Sequence, residues 1–298
     1  MQKQPGHCGF VTITGRPNVG KSTILNRIIG QKLSITSRKP QTTRVHVSGI
    51  KTDSNYQIIF IDTPGLQKNP GSAFNRFMNK EVINALLHID LVIHVVEALK
   101  WTELDSNVHE HIRKLKCPAI LVINKVDKVK NKDDLLPYIN KLDAAKNYVQ
   151  VVPVSARNGQ GIGLLEEQIK KHIPEGVALY PEEQVSDKNE RFFAAEFIRE
   201  KLMRSLGEEI PYNISVTIDE FKEEEKLIRI QATIWVTNDG QKKIVIGKQG
   251  SVLKKTGEQA RLDMQKMFGK KIFLQTWVKI KKNWTSDLQA LKQFGYGA

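Results

Sequence analysis

The chain has 298 residues, 40% of them hydrophobic and 26% charged, enough length and apolar content for two folded domains and too much for a disordered chain. Its formal net charge of +14 favours a polyanionic partner, either nucleic acid or an anionic membrane surface. Cys8 and Cys117 are the only cysteines, which excludes a disulfide framework and fits a reducing compartment. The opening segment MQKQPGHCGF has no apolar signal region, and apolar runs such as LVIHVV (91–96) fall far short of the roughly 20 residues of a membrane span. A cytoplasmic protein without a transmembrane segment is expected.

In chain order, GFVTIT (9–14), YQIIFID (56–62), DLVIHVV (90–96), AILVIN (119–124) and VQVVPVS (149–155) read as buried parallel strands. Helical patterns lie between them at 21–30, 75–88, 106–116 and 163–173. This alternation predicts a doubly wound α/β domain over 1–175. PEGVALYPEEQVSDKN (174–189) has prolines, glycine and acids without a period, and a linker is expected over 176–189. The remainder, 190–298, changes order. A helix (190–205) precedes strands 214–221 and 227–236, a short helix QKKIVI, the tetrapeptide GKQG (247–250), a long helix and a last alternating strand (271–281). The order α-β-β-α-α-β predicts a smaller α+β domain with a C-terminal tail.

GRPNVGKST (15–23) fits G-x-x-x-x-G-K-[ST] between a predicted strand and helix. It supplies Gly15, Arg16, Pro17, Asn18, Val19, Gly20, Lys21, Ser22 and Thr23. Backbone amides and the helix N-terminus face phosphates, Lys21 reaches them, and Ser22 is a Mg²⁺ ligand. DTPG (62–65) ends a strand; Asp62 supports the Mg²⁺ shell, Gly65 offers an amide to a γ-phosphate, and Thr63 and Pro64 complete the loop. NKVD (124–127) ends another strand. The Asp127 carboxylate can accept two hydrogen bonds from guanine, a pair that adenine does not offer. Asn124 and Lys125 brace that loop, and in SAR (155–157) Ser155 and the Ala156 amide complete the base site.

From residue 240 onward there are thirteen Lys/Arg and three Asp/Glu, a net of +10 out of +14. GKQG lies in this stretch between two helices. Glycines let a backbone approach phosphates without Cβ interference. The candidate RNA-binding residues are Lys242, Lys243, Gly247, Lys248, Gln249, Gly250 and Lys254, with Lys255 beside them. Ile244, Val245 and Ile246 read more readily as core than as a floor for bases. Trp277 reads more readily as edge packing than as a stacking platform.

The motifs GRPNVGKST, QTTR (41–44), DTPGL, NKVD and VSA, with the C-terminal module, resemble the Era family of small ribosome-assembly GTPases over nearly the whole chain. The module resembles a type II KH domain, whose G-x-x-G loop clamps single-stranded nucleic acid. The resemblance implies a P-loop GTPase domain followed by a KH domain, with GTP/GDP and Mg²⁺ bound at the first. It places QTTR in switch I, with Thr43 or its neighbour Thr42 as a second Mg²⁺ hydroxyl. Lys21, Thr43, Gly65 and Asn18 are then the residues expected to act on the transferring phosphate. Leu66 stands where many GTPases carry a water-orienting Gln, and Gln67 is one residue off, so slow intrinsic hydrolysis is expected. Asn18 matches the asparagine that seats K⁺ in cation-stimulated relatives. The implied partners are small-subunit (16S) ribosomal RNA near its 3′ end and the 30S subunit. A monomer and peripheral association with the inner membrane are also implied. The rival reading is a membrane-surface or RNA-modification GTPase on the same G domain.

Overall fold

The computed structural model describes residues 6–37, 39, 42–62, 73–78, 89–115, 117–207 and 213–296. Two compact units divide the chain: residues 1–34, 43–66 and 81–187 form the first, and residues 35–42, 67–80 and 188–298 the second.

The first unit is built on a six-stranded sheet. Its strands are β1 (His7–Thr14), β2 (Val47–Thr52), β3 (Tyr56–Asp62), β4 (Leu91–Glu97), β5 (Ala119–Asn124) and β6 (Gln150–Pro153), in the order β2-β3-β1-β4-β5-β6. Only β2 runs antiparallel to its neighbour. Successive residues of β4 serve opposite faces, as strand geometry requires. Ile93 and Val95 join a core with Ile24 and Leu25 of α1 (Lys21–Ile29) and Leu165 and Ile169 of α4 (Ile162–Lys170). Val92 and Val96 join another with Val108 and Ile112 of α2 (Glu103–Arg113) and Leu142 of α3 (Leu135–Lys146). Both faces are covered, which explains the near-continuous apolar runs of the parallel strands.

Two elements of this unit, β2 and α3, escape the sequence pattern. β2, VSGIKT, carries Gly49 at its centre, where a Cβ would stand 3.0 Å from Leu25 Cδ1; glycine hides a strand that packing demands. Of the helix expected at 75–88, residues 75–78 are helical, in a stretch 73–78 that belongs to the second unit, and 79–88 lie outside the described residues. Part of the stretch read as a linker is bound to the first unit. Val185 O accepts from Ile50 N at 2.9 Å, and Asp187 Oδ1 accepts from Ser48 N at 2.9 Å. The fully buried Gln57 Oε1 accepts from the Leu179 and Tyr180 amides at 2.7 and 2.9 Å. The bonds to Ser48 and Ile50 cover part of the β2 edge.

The second unit follows the expected order: α5 (Glu190–Ser205), β7 (Ser215–Glu223), β8 (Leu227–Val236), α6 (Asp239–Ile246), α7 (Ser251–Phe268) and β9 (Lys271–Ile280). β7 and β8 are antiparallel, and β9 lies parallel to β8. A parallel neighbour requires a crossover, and α6 with α7 supplies it. Asn189 caps α5 by accepting from Phe192 N at 3.0 Å. Ile228, Ile230, Ala232, Ile234 and Val236 of β8 are fully buried with Phe193, Phe197 and Leu202 of α5 and Ala260 and Met264 of α7. The tail is folded too. α8 (Leu288–Gln293) follows the buried Trp284, whose ring meets Phe294 and Tyr296. Among the described residues no helix is long and apolar enough to cross a membrane.

Candidate nucleotide site and nucleic-acid groove

The phosphate loop joins the end of β1 to the start of α1. Its left-handed turns explain its residue types: Asn18 sits at φ 65° and Gly20 at φ 107°, conformations that asparagine tolerates and glycine adopts freely. A Cβ at Gly20 would lie 2.2 Å from Asn124 Nδ2, so the second loop glycine is fixed by packing as well. Lys21 is buried, and its Nζ donates to Gly15 O at 3.0 Å and Arg16 O at 3.1 Å. Burial lowers its pKa, with the charge of Asp62 opposing that shift.

Three oxygens meet beneath the loop. Ser22 Oγ donates to Asp62 Oδ2 at 2.8 Å, and Thr43 Oγ1 lies 3.3 Å from both Ser22 Oγ and Asp62 Oδ2. Thr42 does not join them: its hydroxyl donates to Lys39 O at 2.6 Å, within the second unit. Asp62 is fully buried, and its Oδ1 has no hydrogen-bond partner among the described residues. Burial raises its pKa, against the pull of Lys21 and the hydroxyls. Hard hydroxyl and carboxylate oxygens with one buried atom left over fit a small divalent cation. Among the described residues no trio of His, Cys, Asp and Glu gathers elsewhere to hold one.

The base-side loops are tied to this cluster by one side chain. Asn124, at the end of β5, donates through Nδ2 to Val19 O at 2.7 Å and accepts from Ala156 N at 3.0 Å. The phosphate loop, NKVD and SAR thus share a common brace. The Ala156 amide, read as a donor to a base carbonyl, is engaged by Asn124 in this arrangement. Ser155 Oγ donates to Asp127 Oδ1 at 2.6 Å, orienting that carboxylate. Lys125 adopts φ 68° and its Nζ pairs with Glu97 Oε2 at 3.0 Å. Arg16 also reaches Glu97 Oε2, at 3.2 Å, and its Nε donates to Asp105 Oδ2 at 3.1 Å. Burial alone would raise the pKa of Glu97, but Lys125 and Arg16 outweigh it and hold the carboxyl below its ordinary value. Glu97 and Asp105 are partners of the loop cations that the motifs do not reveal. Thr63, Pro64, Gly65, Leu66 and Gln67 lie outside the described residues, as does Gln41 of QTTR. Arg16, Pro17 and Thr23 occupy their expected places in the loop and first helical turn.

In the second unit GKQG turns the chain from α6 into α7. Gly247 has φ 75°, and a Cβ there would stand 2.5 Å from Val252 Cγ2. Gln249 and Gly250 take left-handed values as well. Lys248, Gln249, Lys243, Lys254 and Lys255 are exposed and Lys242 is half-buried. Val245 is core as expected, whereas Ile244 is 49% exposed. An open groove of about 370 Å³ begins at Gly250 and runs between α7 and β9, lined by Leu253, Lys254, Gly257, Glu258, Arg261, Leu274 and Thr276. The helix residues recur at three- and four-residue steps, one face of α7. Of this lining only Gly250 and Lys254 are among the sequence candidates; Leu274 and Thr276 come from a strand about 20 residues further on. Trp277 is exposed on the opposite face of β9, the face that also carries Phe273, over which Arg229 lies at 5.4 Å from the ring centre.

The fold and these sites define a P-loop GTPase that carries a KH module. The family model for 50S ribosome-binding GTPases matches residues 10–125, and the KH-domain model matches residues 209–285. GTPase Era of Coxiella burnetii is 48% identical over 293 residues, covering 98% of this chain and 99% of that protein. GTPase Era of Pseudomonas syringae pv. tomato is 49% identical over 290 residues, 97% of each. The chain belongs to the Era family of GTPases. Two solved structures are each 35% identical with a TM-score of 0.93 and cover 98% of this chain. One is Era with MgGDPNP and nucleotides 1506–1542 of 16S ribosomal RNA, 99% covered; the other is a point variant of Aquifex aeolicus Era bound to GDP and AlF4⁻, fully covered.

Proposed function

We propose that the chain hydrolyses GTP to GDP and phosphate as a switch that binds small-subunit ribosomal RNA near its 3′ end and acts in 30S assembly. The observation that carries the reading is Asn124, which fastens the phosphate loop to both base-side loops. A nucleotide with phosphates at 15–23 and base at Asp127 would be held by one braced body. Asp127, oriented by Ser155, accepts from guanine N1–H and the 2-amino group. Lys21 and the loop amides hold the phosphates, and Lys125 covers the base. Ser22, Thr43 and Asp62 would hold Mg²⁺, which offsets phosphate charge. Thr43, rather than Thr42, has its hydroxyl at that cluster. Asn18 is the residue through which K⁺ would stimulate hydrolysis; equal kcat in KCl and NaCl would remove that role.

GKQG and the lysines around it are the proposed RNA contact, joined by the groove along α7. The protein works in the cytoplasm, where its basic surface can also meet the anionic face of the inner membrane. The decisive measurement is nucleotide selectivity in Asp127→Asn. Two hydrogen bonds to a charged group are together worth about 3–6 kcal/mol, so GDP affinity should fall at least about a hundredfold. Xanthosine diphosphate, with a carbonyl in place of the 2-amino group, should gain. Unchanged GDP affinity, or equal uptake of ATP and GTP by the native protein, would overturn the assignment.

A further inference from the structure

Gly257 lies in the interior of α7 and lines the groove beside Lys254, Glu258 and Arg261. After proline, glycine is the residue that most weakens a helix interior. No neighbour demands it here: a Cβ at 257 would meet nothing within 4 Å outside its own helix backbone. Gly49 and Gly247 contrast with it, since a Cβ at either would press on neighbouring side chains. The space above Gly257 is therefore not filled by any described residue.

The charges around it are arranged unevenly. Lys254, Glu258 and Arg261 are all exposed, and none makes a hydrogen bond or ion pair among the described residues. Yet Glu258 follows Lys254 by four residues and precedes Arg261 by three, spacings at which helical ion pairs form. A phosphate is attracted at Lys254 and Arg261 and repelled at Glu258 between them, so the centre of the groove suits a base. A carboxylate accepts hydrogen bonds from an exocyclic amino group, which adenine, cytosine and guanine carry. Uracil offers only an N3–H flanked by two carbonyls that the carboxylate repels. Leu253 and Leu274 supply an apolar wall.

We propose that Gly257 and Glu258 form a seat for one unpaired amino-bearing nucleobase, packed on the bare helix at 257 with its amino group on Glu258. Lys254 and Arg261 take the flanking phosphates. The seat rests on reading the groove as the single-stranded RNA cleft, and it adds which residues choose the base.

The test is fluorescence anisotropy of the full chain with a single-stranded RNA copied from the 3′ segment of 16S ribosomal RNA and its single uracil substitutions. In the native protein one position should show a loss of about tenfold when its amino-bearing base becomes uracil. Glu258→Gln, whose amide also donates, should reduce that loss to about twofold or less. Gly257→Ala should weaken every RNA about tenfold while the melting temperature stays equal or rises. Retained discrimination in Glu258→Gln sinks the seat, whatever the stability of the alanine variant. Native affinity in Gly257→Ala sinks it as well. Lys248→Asp separates the two levels of the claim. If it alone loses RNA, the seat falls and the cleft stands; if it binds normally, the cleft reading fails first.

Discussion

Two cations of the nucleotide site, Arg16 in the phosphate loop and Lys125 in NKVD, share the single carboxylate oxygen Glu97 Oε2. The arrangement fixes Lys125 against the phosphate loop before any base arrives, so less order has to be gained on binding. Glu97→Gln keeps the shape and removes the charge. Because Glu97 is partly solvated, the effect should be moderate: GDP dissociation faster by about tenfold, with little change in melting temperature. Stopped-flow release of a fluorescent GDP would show it, and an unaltered rate would make Glu97 a bystander. The same residues mark what sequence reading can and cannot reach. Lys21, Ser22 and Asp127 are candidates from the sequence alone because they stand in contiguous motifs. Glu97 and Asp105 are not, because each looks like a solvated acid until Arg16 arrives from 81 and 89 residues away.

At the scale of elements, strand β4 shows how a buried polar residue is tolerated. His94 is fully buried beside Trp101 and Tyr148, and its Nδ1 meets Tyr148 Oη at 2.6 Å while Nε2 has no partner among the described residues. Burial, with His109 and Lys21 adding repulsion, pushes its pKa down to about 3. In the unfolded chain it would titrate near its ordinary 6.5. The unfolded state therefore binds the extra proton first, and stability is full above pH 6.5 and falls as pH drops towards 3. From pH 7.5 to 5 this one group should cost about 2 kcal/mol. Urea denaturation of the native protein and His94→Phe over that range should differ in slope by this amount; parallel slopes would refute it. Elements were legible where period and length agreed, as in β5, α5 and α7. β2 was hidden by Gly49, and α3 by a weak pattern, LLPYINKLDAAK, with proline in its first turn. The tail read as an extension is ordered because Trp284 is buried, which no local periodicity announces.

Across the whole molecule, charge separates the two binding tasks. The nucleotide site works with enclosed charges: Lys21 is 9% exposed and Asp62 not at all, so salt screens them little. The proposed RNA surface carries exposed ones, Lys243, Lys248, Lys254 and Arg261 among them, in a stretch that holds +10 of the +14 net charge. Single-stranded RNA binding that neutralises about five phosphates should follow a log–log salt slope near −3.5, an affinity loss of about a hundredfold between 50 and 200 mM KCl. GDP affinity over the same range should change far less. Removing one contact by Lys248→Ala should make the RNA slope shallower by about 0.7 and leave nucleotide binding unmoved. A flat RNA slope would mean that the basic stretch does not meet phosphate, and an equally steep GDP slope would mean that the two tasks are not separated by burial. Because the slope counts displaced counterions rather than reading bases, it is independent of which base the groove selects, and it can be measured before the target sequence is known.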